Sequence, residues 1–215
     1  MAIGREGIVD EALLLLNEVG IDKLSTRKLA ERLGVQQPAL YWHFRNKSEL
    51  LDAINSEMLL RFHHDRLPKP GQDWVAFTLA NARSVRKALL SMRDGARLTA
   101  GTRPSVADFA DTEKVLQLYV AAGFSAKEAF GIAICVTRYV VGYVLEEQGE
   151  QERERIDRDV PETDFDAEIA PFPLLTDALE TFREVGTVNT EAVFENGLDY
   201  LVAGLQETLR RKRSG

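Results

Sequence analysis

The sequence predicts an all-α protein, with a small N-terminal unit of three helices that contains a helix-turn-helix and a larger helical domain behind it. Three observations carry this expectation. Apolar residues recur at helical spacing along the chain, and no stretch alternates with the period of a strand. Leu24 to Phe44 reads as two short helices around a tight turn. Pro68-Lys69-Pro70-Gly71 then breaks the helical pattern and divides the 215 residues into domains 1–66 and 67–215.

In chain order, Ile8, Ala12, Leu15, Leu16 and Val19 form a helical stripe that ends at Gly20. This first helix is expected to pack beneath the helix-turn-helix. Leu29, Ala30 and Leu33 give the next helix its apolar face, with Ala30 small where two crossing helices approach. Gly34 permits the reversal that follows. Pro38 suits the first turn of the third helix, where a missing N–H costs nothing. Leu40 then points inward and leaves Gln36, Gln37, Ala39, Tyr41, Trp42 and His43 at the surface. Asn46 followed by Glu49 resembles a capping box and opens a fourth helix through Leu50, Leu51, Ile54 and Met58.

The outward chemistry of the third helix suits a DNA groove. Glutamine can bond an adenine edge in two places, and a small apolar group such as Ala39 can meet a thymine methyl. Tyr41, Trp42 and His43 carry donors suited to phosphate oxygens. Between Lys23 and Lys47 stand six basic residues against one acid, a local charge of +5 inside a chain of net −7. Residues 1–66 carry −1 and the remainder −6, so the basic stripe is local and the body would repel nonspecific DNA. The competing reading is a helical hairpin buried in a larger bundle. It leaves Tyr-Trp-His outside a core without a reason.

The second domain shows a long helix from Ser125 to Glu147, apolar around much of its circumference, which must be buried from several directions. Phe194, Leu198, Leu201, Val202, Leu205 and Leu209 form another stripe. These two helices either pair with those of a second copy as a four-helix bundle or complete an intrachain core. Glu146 to Glu168 holds eleven acids and three arginines, which predicts a solvated, poorly ordered loop; a cation site is the sharper alternative.

Several classes are disfavoured. The single cysteine, Cys135, excludes an internal disulfide and is expected as an inert core thiol. No run approaches the roughly 18 uninterrupted apolar residues of a membrane span, and Met1 to Asp10 is too polar for a signal peptide. The expectation is a cytoplasmic protein with no membrane partner. His63, His64 and Glu57 are not accompanied by a Ser-His-Asp arrangement, a glycine-rich phosphate loop or HExxH, so the chain is not expected to be an enzyme.

The segment Leu24 to Phe44, with Arg-Asn-Lys-Ser-Glu-Leu-Leu-Asp-Ala after it, resembles the DNA-binding domain of the TetR family of repressors. The resemblance extends to the tetracycline repressors within that family. It is carried by Leu14 to Ile21, Ala88-Leu89-Leu90, Arg93 to Ala96, Gly101-Thr102-Arg103-Pro104, Gly123-Phe124-Ser125 and Val144-Leu145-Glu146. It spans residues 5 to 147, fades through the acidic run and returns weakly in Gly197 to Leu205.

Such a resemblance implies an N-terminal DNA-binding domain joined to a C-terminal ligand-binding and dimerisation domain. Two reading heads of a homodimer would meet successive major grooves of palindromic double-stranded operator DNA, about 34–36 Å apart. A small-molecule effector, tetracycline-like or another planar hydrophobic compound, would swing the fourth helix and spoil that spacing. A non-tetracycline effector, or action as an activator, stays open.

By position, the resemblance makes Thr26, Arg27, Gln37, Pro38, Ala39, Tyr41, Trp42, His43 and Lys47 DNA contacts. It makes His63, Asn81, Val85, Thr99, Thr102, Arg103, Pro104, Val115 and Phe130 effector-pocket residues. Arg103 reads equally as a structural ion-pair partner. Tetracycline repressors bind a drug–magnesium chelate through a histidine where this chain has Thr99, and a neutral hydroxyl is a poor replacement. Glu146 matches the position that approaches the metal from the partner subunit. Val85 replaces an aromatic residue, Val115 a glutamine, and Ala39 a threonine. No cofactor is required on this reading, and Mg²⁺ enters only with a chelating effector.

Overall fold

The computed structural model describes residues 4–104, 106–156, 165–183 and 185–214, and among these every regular element is helical. The N-terminal unit is α1 (Arg5–Val19), α2 (Thr26–Leu33) and α3 (Gln37–Tyr41), with α4 (Lys47–Phe62) leading out of it. Ile8, Ala12, Leu15 and Leu16 of α1 are buried against Leu29 and Ala30 of α2, Leu40 of α3, and Leu50, Ile54 and Met58 of α4. The tight turn after α2 is made by Gly34 at φ 67°, a left-handed conformation that lets its N–H return to the end of the helix. Ser25 caps α2 by accepting from the Lys28 N–H at 3.2 Å.

The expected capping box of α4 is present in altered form. Asn46 Oδ1 accepts from Glu49 N–H at 2.9 Å, but the Glu49 carboxylate reaches back to the N–H of Arg45 at 2.8 Å. It also takes the Arg45 guanidinium at 3.1 Å, and these contacts with Arg45 hold the Glu49 carboxyl below the ordinary carboxylate range.

The larger body is α5 (Trp74–Leu90), α6 (Gly95–Ala100), a 3₁₀ turn at Val106–Asp108, α7 (Phe109–Ala122), α8 (Ala126–Ile156), α9 (Phe165–Ile169), α10 (Pro173–Arg183) and α11 (Glu191–Ser214). α8 is the central element and packs against α5, α6 and α7. Its buried residues Ala129, Ile132, Val136, Val140, Val144 and Glu147 recur every three or four positions and so form one stripe. α11 is held to α8 by Tyr139, whose hydroxyl donates to Phe194 O at 2.8 Å, and by Tyr143, which donates to Thr190 O at 2.6 Å. Gly197 is required there, because a Cβ would collide with the Tyr139 ring.

Two expectations need correction. The acidic run is not a loop through its first half, because α8 continues to Ile156. Several of its polar groups have fixed partners. Glu147 pairs with Arg86, Gln148 donates to Leu89 O and Met92 O at 3.2 and 2.9 Å, and Glu150 accepts from Thr187 at 2.6 Å. Residues 157–164 of that run lie outside the described residues. Cys135 is not a core thiol but is exposed, because Ile132 and Val136 take the inward positions on either side of it.

α8 is also long and apolar enough to cross a membrane, with mean hydropathy 1.5 over an 18-residue window of which 33 % is buried. Helices pack along its buried stripe in the manner of a globular core. The other face, with Gly131, Cys135, Arg138 and Gly142, is open within one chain.

The N-terminal unit is joined to the body at a second place besides α4. Asp94, itself at φ 59°, accepts from Ile21 N–H at 2.8 Å. Arg93 N–H donates to Asn17 Oδ1 at 2.8 Å, and Arg97 holds Asp22 through two bonds of 2.8 and 2.9 Å. That guanidinium keeps the Asp22 carboxyl below the ordinary carboxylate range.

Candidate DNA-reading and effector sites

α3 is only five residues long and is anchored by Leu40, with Phe44 buried just beyond its end. Everything else on it is therefore turned outward or toward α2. Trp42 is 89 % exposed, Tyr41 is exposed, and His43 is half-buried. Gln37 is half-buried because its side-chain amide donates to Thr26 Oγ1 at 2.8 Å and lies 3.5 Å from the Tyr41 hydroxyl. With its amide nitrogen so engaged, Gln37 would offer Oε1 to a base edge, as an acceptor for an amino group. Pro38 is exposed in the first turn of α3, Ala39 is half-buried, and Lys47 is exposed at the first residue of α4.

The basic stripe is thinner in three dimensions than in the sequence. Arg32 is drawn to Glu11 and Glu18 of α1, which raise its already high pKa further. Arg45 is held by Glu49, and Arg27 lies 3.3 Å from Glu31. Arg27 remains well exposed and its i,i+4 pairing is weak, so phosphate could take it. Arg32 instead fastens α2 to α1. The Thr26–Gln37 contact is not legible in the residue pattern, since it depends on how α2 and α3 cross.

The body brings His63, Asn81 and Ser84 together. His63 follows the last residue of α4 and is buried. Its Nδ1 lies 2.9 Å from Ser84 Oγ, and the Asn81 amide reaches its Nε2 at 3.2 Å. Asn81 also donates to Asp65 O at 3.1 Å, while Ser84 accepts from Asp65 N–H at the same distance. The set is self-consistent if Nε2 accepts and Nδ1 carries the proton. Burial pushes the His63 pKa down to about 4, so the ring is neutral at physiological pH. Val85 lies beside Ser84 on α5 and is buried, and Val115 is half-buried on α7 against the same core.

Thr99, near the end of α6, donates through Oγ1 to Asn55 Oδ1 of α4 at 2.7 Å. Thr102 Oγ1 donates to Thr99 O at 3.1 Å, and Arg103 N–H donates to Asp52 Oδ1 at 3.0 Å. The Arg103 side chain and Pro104 are exposed. Phe130 is 52 % exposed on α8, and Glu146 is exposed, whereas the neighbouring Glu147 is buried on Arg86. Ser84, Asn55 and Asp52 escaped sequence reasoning. They carry no motif and matter only because α5 and α6 lie against α4.

Magnesium is implied by the resemblance, and within one chain the donors do not fit it. The described residues contain no group of three His, Cys, Asp or Glu side chains able to hold a metal ion. Thr99 is a neutral hydroxyl whose proton is committed to Asn55. Hard divalent cations favour anionic and carbonyl oxygens. Two cavities of about 370 and 230 Å³ lie elsewhere, the first between α6 and the end of α8 beside Asp94 and Glu152, the second beside Cys135 and Leu205.

Comparison with known proteins agrees with this geometry. Residues 8–54 match the family described as bacterial regulatory proteins of the tetR family, and residues 67–209 match the tetracyclin repressor-like C-terminal domain. The chain is 48 % identical over 199 residues to a class A tetracycline repressor protein of Escherichia coli, covering 92 % of this chain and 88 % of that protein. It is 47 % identical over 199 residues to the class G protein of Vibrio anguillarum, covering 93 % and 91 %. Among solved structures it resembles a class A TetR in complex with 5a,6-anhydrotetracycline and magnesium, with TM-score 0.71, 40 % identity and coverage of 93 % and 96 %. It also resembles a TetR variant from Acinetobacter baumannii AYE in complex with minocycline, with TM-score 0.75, 42 % identity and coverage of 96 % and 98 %. The helix-turn-helix of α2 and α3, the all-helical body and these matches together establish that the chain belongs to the TetR family and is a ligand-responsive transcriptional repressor.

Proposed function

We propose that the chain acts as a homodimer on a palindromic operator in the cytoplasm, and that a tetracycline-like effector releases it. Residues 1–66 would read DNA and residues 67–215 would bind effector and the second subunit. The observation that carries this reading is the span of α4. It begins at Lys47, just after the reading surface, and leads directly into His63, which is bonded to Asn81 and Ser84 in the body. A ligand that favours a different arrangement of this cluster would shift the population of head positions by its differential affinity. The proposed DNA contacts are Thr26, Arg27, Gln37, Pro38, Ala39, Tyr41, Trp42, His43 and Lys47. The proposed effector contacts are those named from the resemblance, with His63 and Asn81 at the polar edge.

The open face of α8 supports a dimer. Gly131 and Gly142 there have open space around them, as does Gly204 on α11, so a second pair of helices can approach closely. Tyr200 on α11 is 76 % exposed. No catalytic role and no resident cofactor is proposed, and Mg²⁺ would arrive only within a chelated effector. Val85 and Val115 favour a second reading, a planar hydrophobic compound that is not a tetracycline, because both are apolar.

The test is selection of a palindromic fragment from random DNA by the full chain, followed by titration with 5a,6-anhydrotetracycline. Release of the fragment supports the proposal. Binding of DNA that no planar polyketide reverses would overturn the effector class.

A further inference from the structure

We propose that Arg5, in the first turn of α1, binds a phosphate of the DNA backbone beside the reading helix, and that the Phe44 ring holds its guanidinium there. The inference rests on the reading that α3 enters a DNA groove. It adds a contact from a helix outside the helix-turn-helix and outside the basic stretch from Lys23 to Lys47.

The fold supplies the placement. Phe44 closes the run Tyr41-Trp42-His43-Phe44 and is buried, whereas Arg5 is exposed. The Arg5 guanidinium carbon lies 4.6 Å from the centre of the Phe44 ring. The start of α1 therefore lies against the segment that follows α3, although the two are far apart in the chain. Glu49, whose carboxyl is held low first by its bonds to Arg45, also feels the Arg5 charge. Arg5 thus stands at the corner where the end of α3 meets the first turn of α4, the turn that begins with Lys47.

The chemistry of Arg5 sets it apart from the arginines nearby. Arg27, Arg32 and Arg45 each have an acid beside them. Among the described residues Arg5 makes no ion pair, and its partner is the ring. Helix stability does not account for it, because a cation in the first turn opposes the helix dipole. An exposed contact with an aromatic face returns only about what that opposition costs. A ring attracts a guanidinium without consuming its N–H donors. They remain available to phosphate oxygens, which arginine can bind through two parallel bonds. Such a contact fixes the register of the head on the duplex and carries no sequence information.

The test is binding of the full chain to a selected palindromic fragment and to random-sequence duplex DNA, each from about 50 to 200 mM salt. Arg5→Ala is expected to weaken both about threefold or more at the lower salt and to reduce the salt slope by about 0.9 per reading head. Base preference, read with single-base variants of the fragment, should stay as in the wild type. Arg5→Lys keeps the charge and should restore the slope, which a role in folding alone would not require. Phe44→Leu keeps an apolar core residue without the ring. It should weaken binding by the wild type but add no further loss to Arg5→Ala. An unchanged slope in Arg5→Ala, or one that Arg5→Lys does not restore, would overturn the phosphate contact. Additive losses for Arg5→Ala and Phe44→Leu would overturn the role of the ring. If the wild type binds neither DNA, the reading surface itself fails and Arg5 with it. If it binds both and only the slope prediction fails, the surface stands and the Arg5 contact falls alone.

Discussion

Asp94 accepts the backbone N–H of Ile21 at 2.8 Å, joining residues 73 positions apart across the boundary between reading head and body. Its backbone is in the left-handed region at φ 59°, which an aspartate tolerates better than most side chains. Removing the carboxylate leaves a partly buried amide without its partner and adds strain. Asp94→Ala is expected to cost about 1–3 kcal/mol, read from urea unfolding. It should also weaken DNA binding, because the junction held by Asp94, Arg93 and Arg97 loses one of its links. Asp94→Asn keeps an acceptor and the left-handed preference, so its cost should be smaller.

On the reading surface, Gln37 and Lys47 should differ in kind. Gln37→Ala is expected to relax base preference at one operator position by about 1–3 kcal/mol, measured with single-base operator variants. Thr26→Val should shift the same position, since Thr26 holds the Gln37 amide at 2.8 Å. Lys47→Ala should weaken all sequences alike and reduce the salt slope by about 1. Equal effects of the two alanine variants on preference and salt slope would contradict these roles.

The pH response of stability follows from His63. Its folded pKa is about 4 against an ordinary 6.5, because burial disfavours the charged ring. The unfolded chain therefore binds the proton first. Stability is complete above pH 6.5, declines as the pH falls toward 4, and changes no further from this group below that. The loss is at most about 3.5 kcal/mol, taking about 1.4 kcal/mol per pH unit. Denaturant melts of the wild type and His63→Gln across this window should converge at low pH if His63 is the source. Parallel curves would show that it is not.

Adjacent glutamates should behave oppositely. Glu147 is buried on Arg86, whose guanidinium also sits 4.9 Å from the Phe194 ring centre. Glu147→Ala strands that charge and should cost about 3 kcal/mol. Glu146 is exposed, and Glu146→Ala should change stability by no more than about 0.5 kcal/mol. Urea unfolding of the two variants at fixed protein concentration checks this directly.

The open face of α8 predicts association. Sedimentation should give twice the chain mass, and the melting temperature should rise with protein concentration. Gly142→Arg, placed in open space within one chain, should shift the mass toward a monomer without disturbing the intrachain core.

The helices around Leu29, Leu40, Ile54 and Leu198 were legible because local periodicity and core burial agree there. Gly34, Pro38 and Asn46 were legible as punctuation for the same local reason. Cys135 was misplaced because an apolar helix with two apolar faces does not declare which one its own chain will cover. The first half of the acidic run was misread because composition counts charges but not partners, and Arg86, Leu89 and Thr187 are distant in sequence.

Residue order alone sufficed for the helix-turn-helix and the family, since each rests on contacts within a few turns or on motif spacing. The tertiary structure decided which charges remain free on the reading face, that Ser84 and Asn81 engage His63, and that Thr99 is committed to Asn55. Those outcomes depend on how helices cross, and a crossing brings together atoms whose separation along the chain carries no periodic signal.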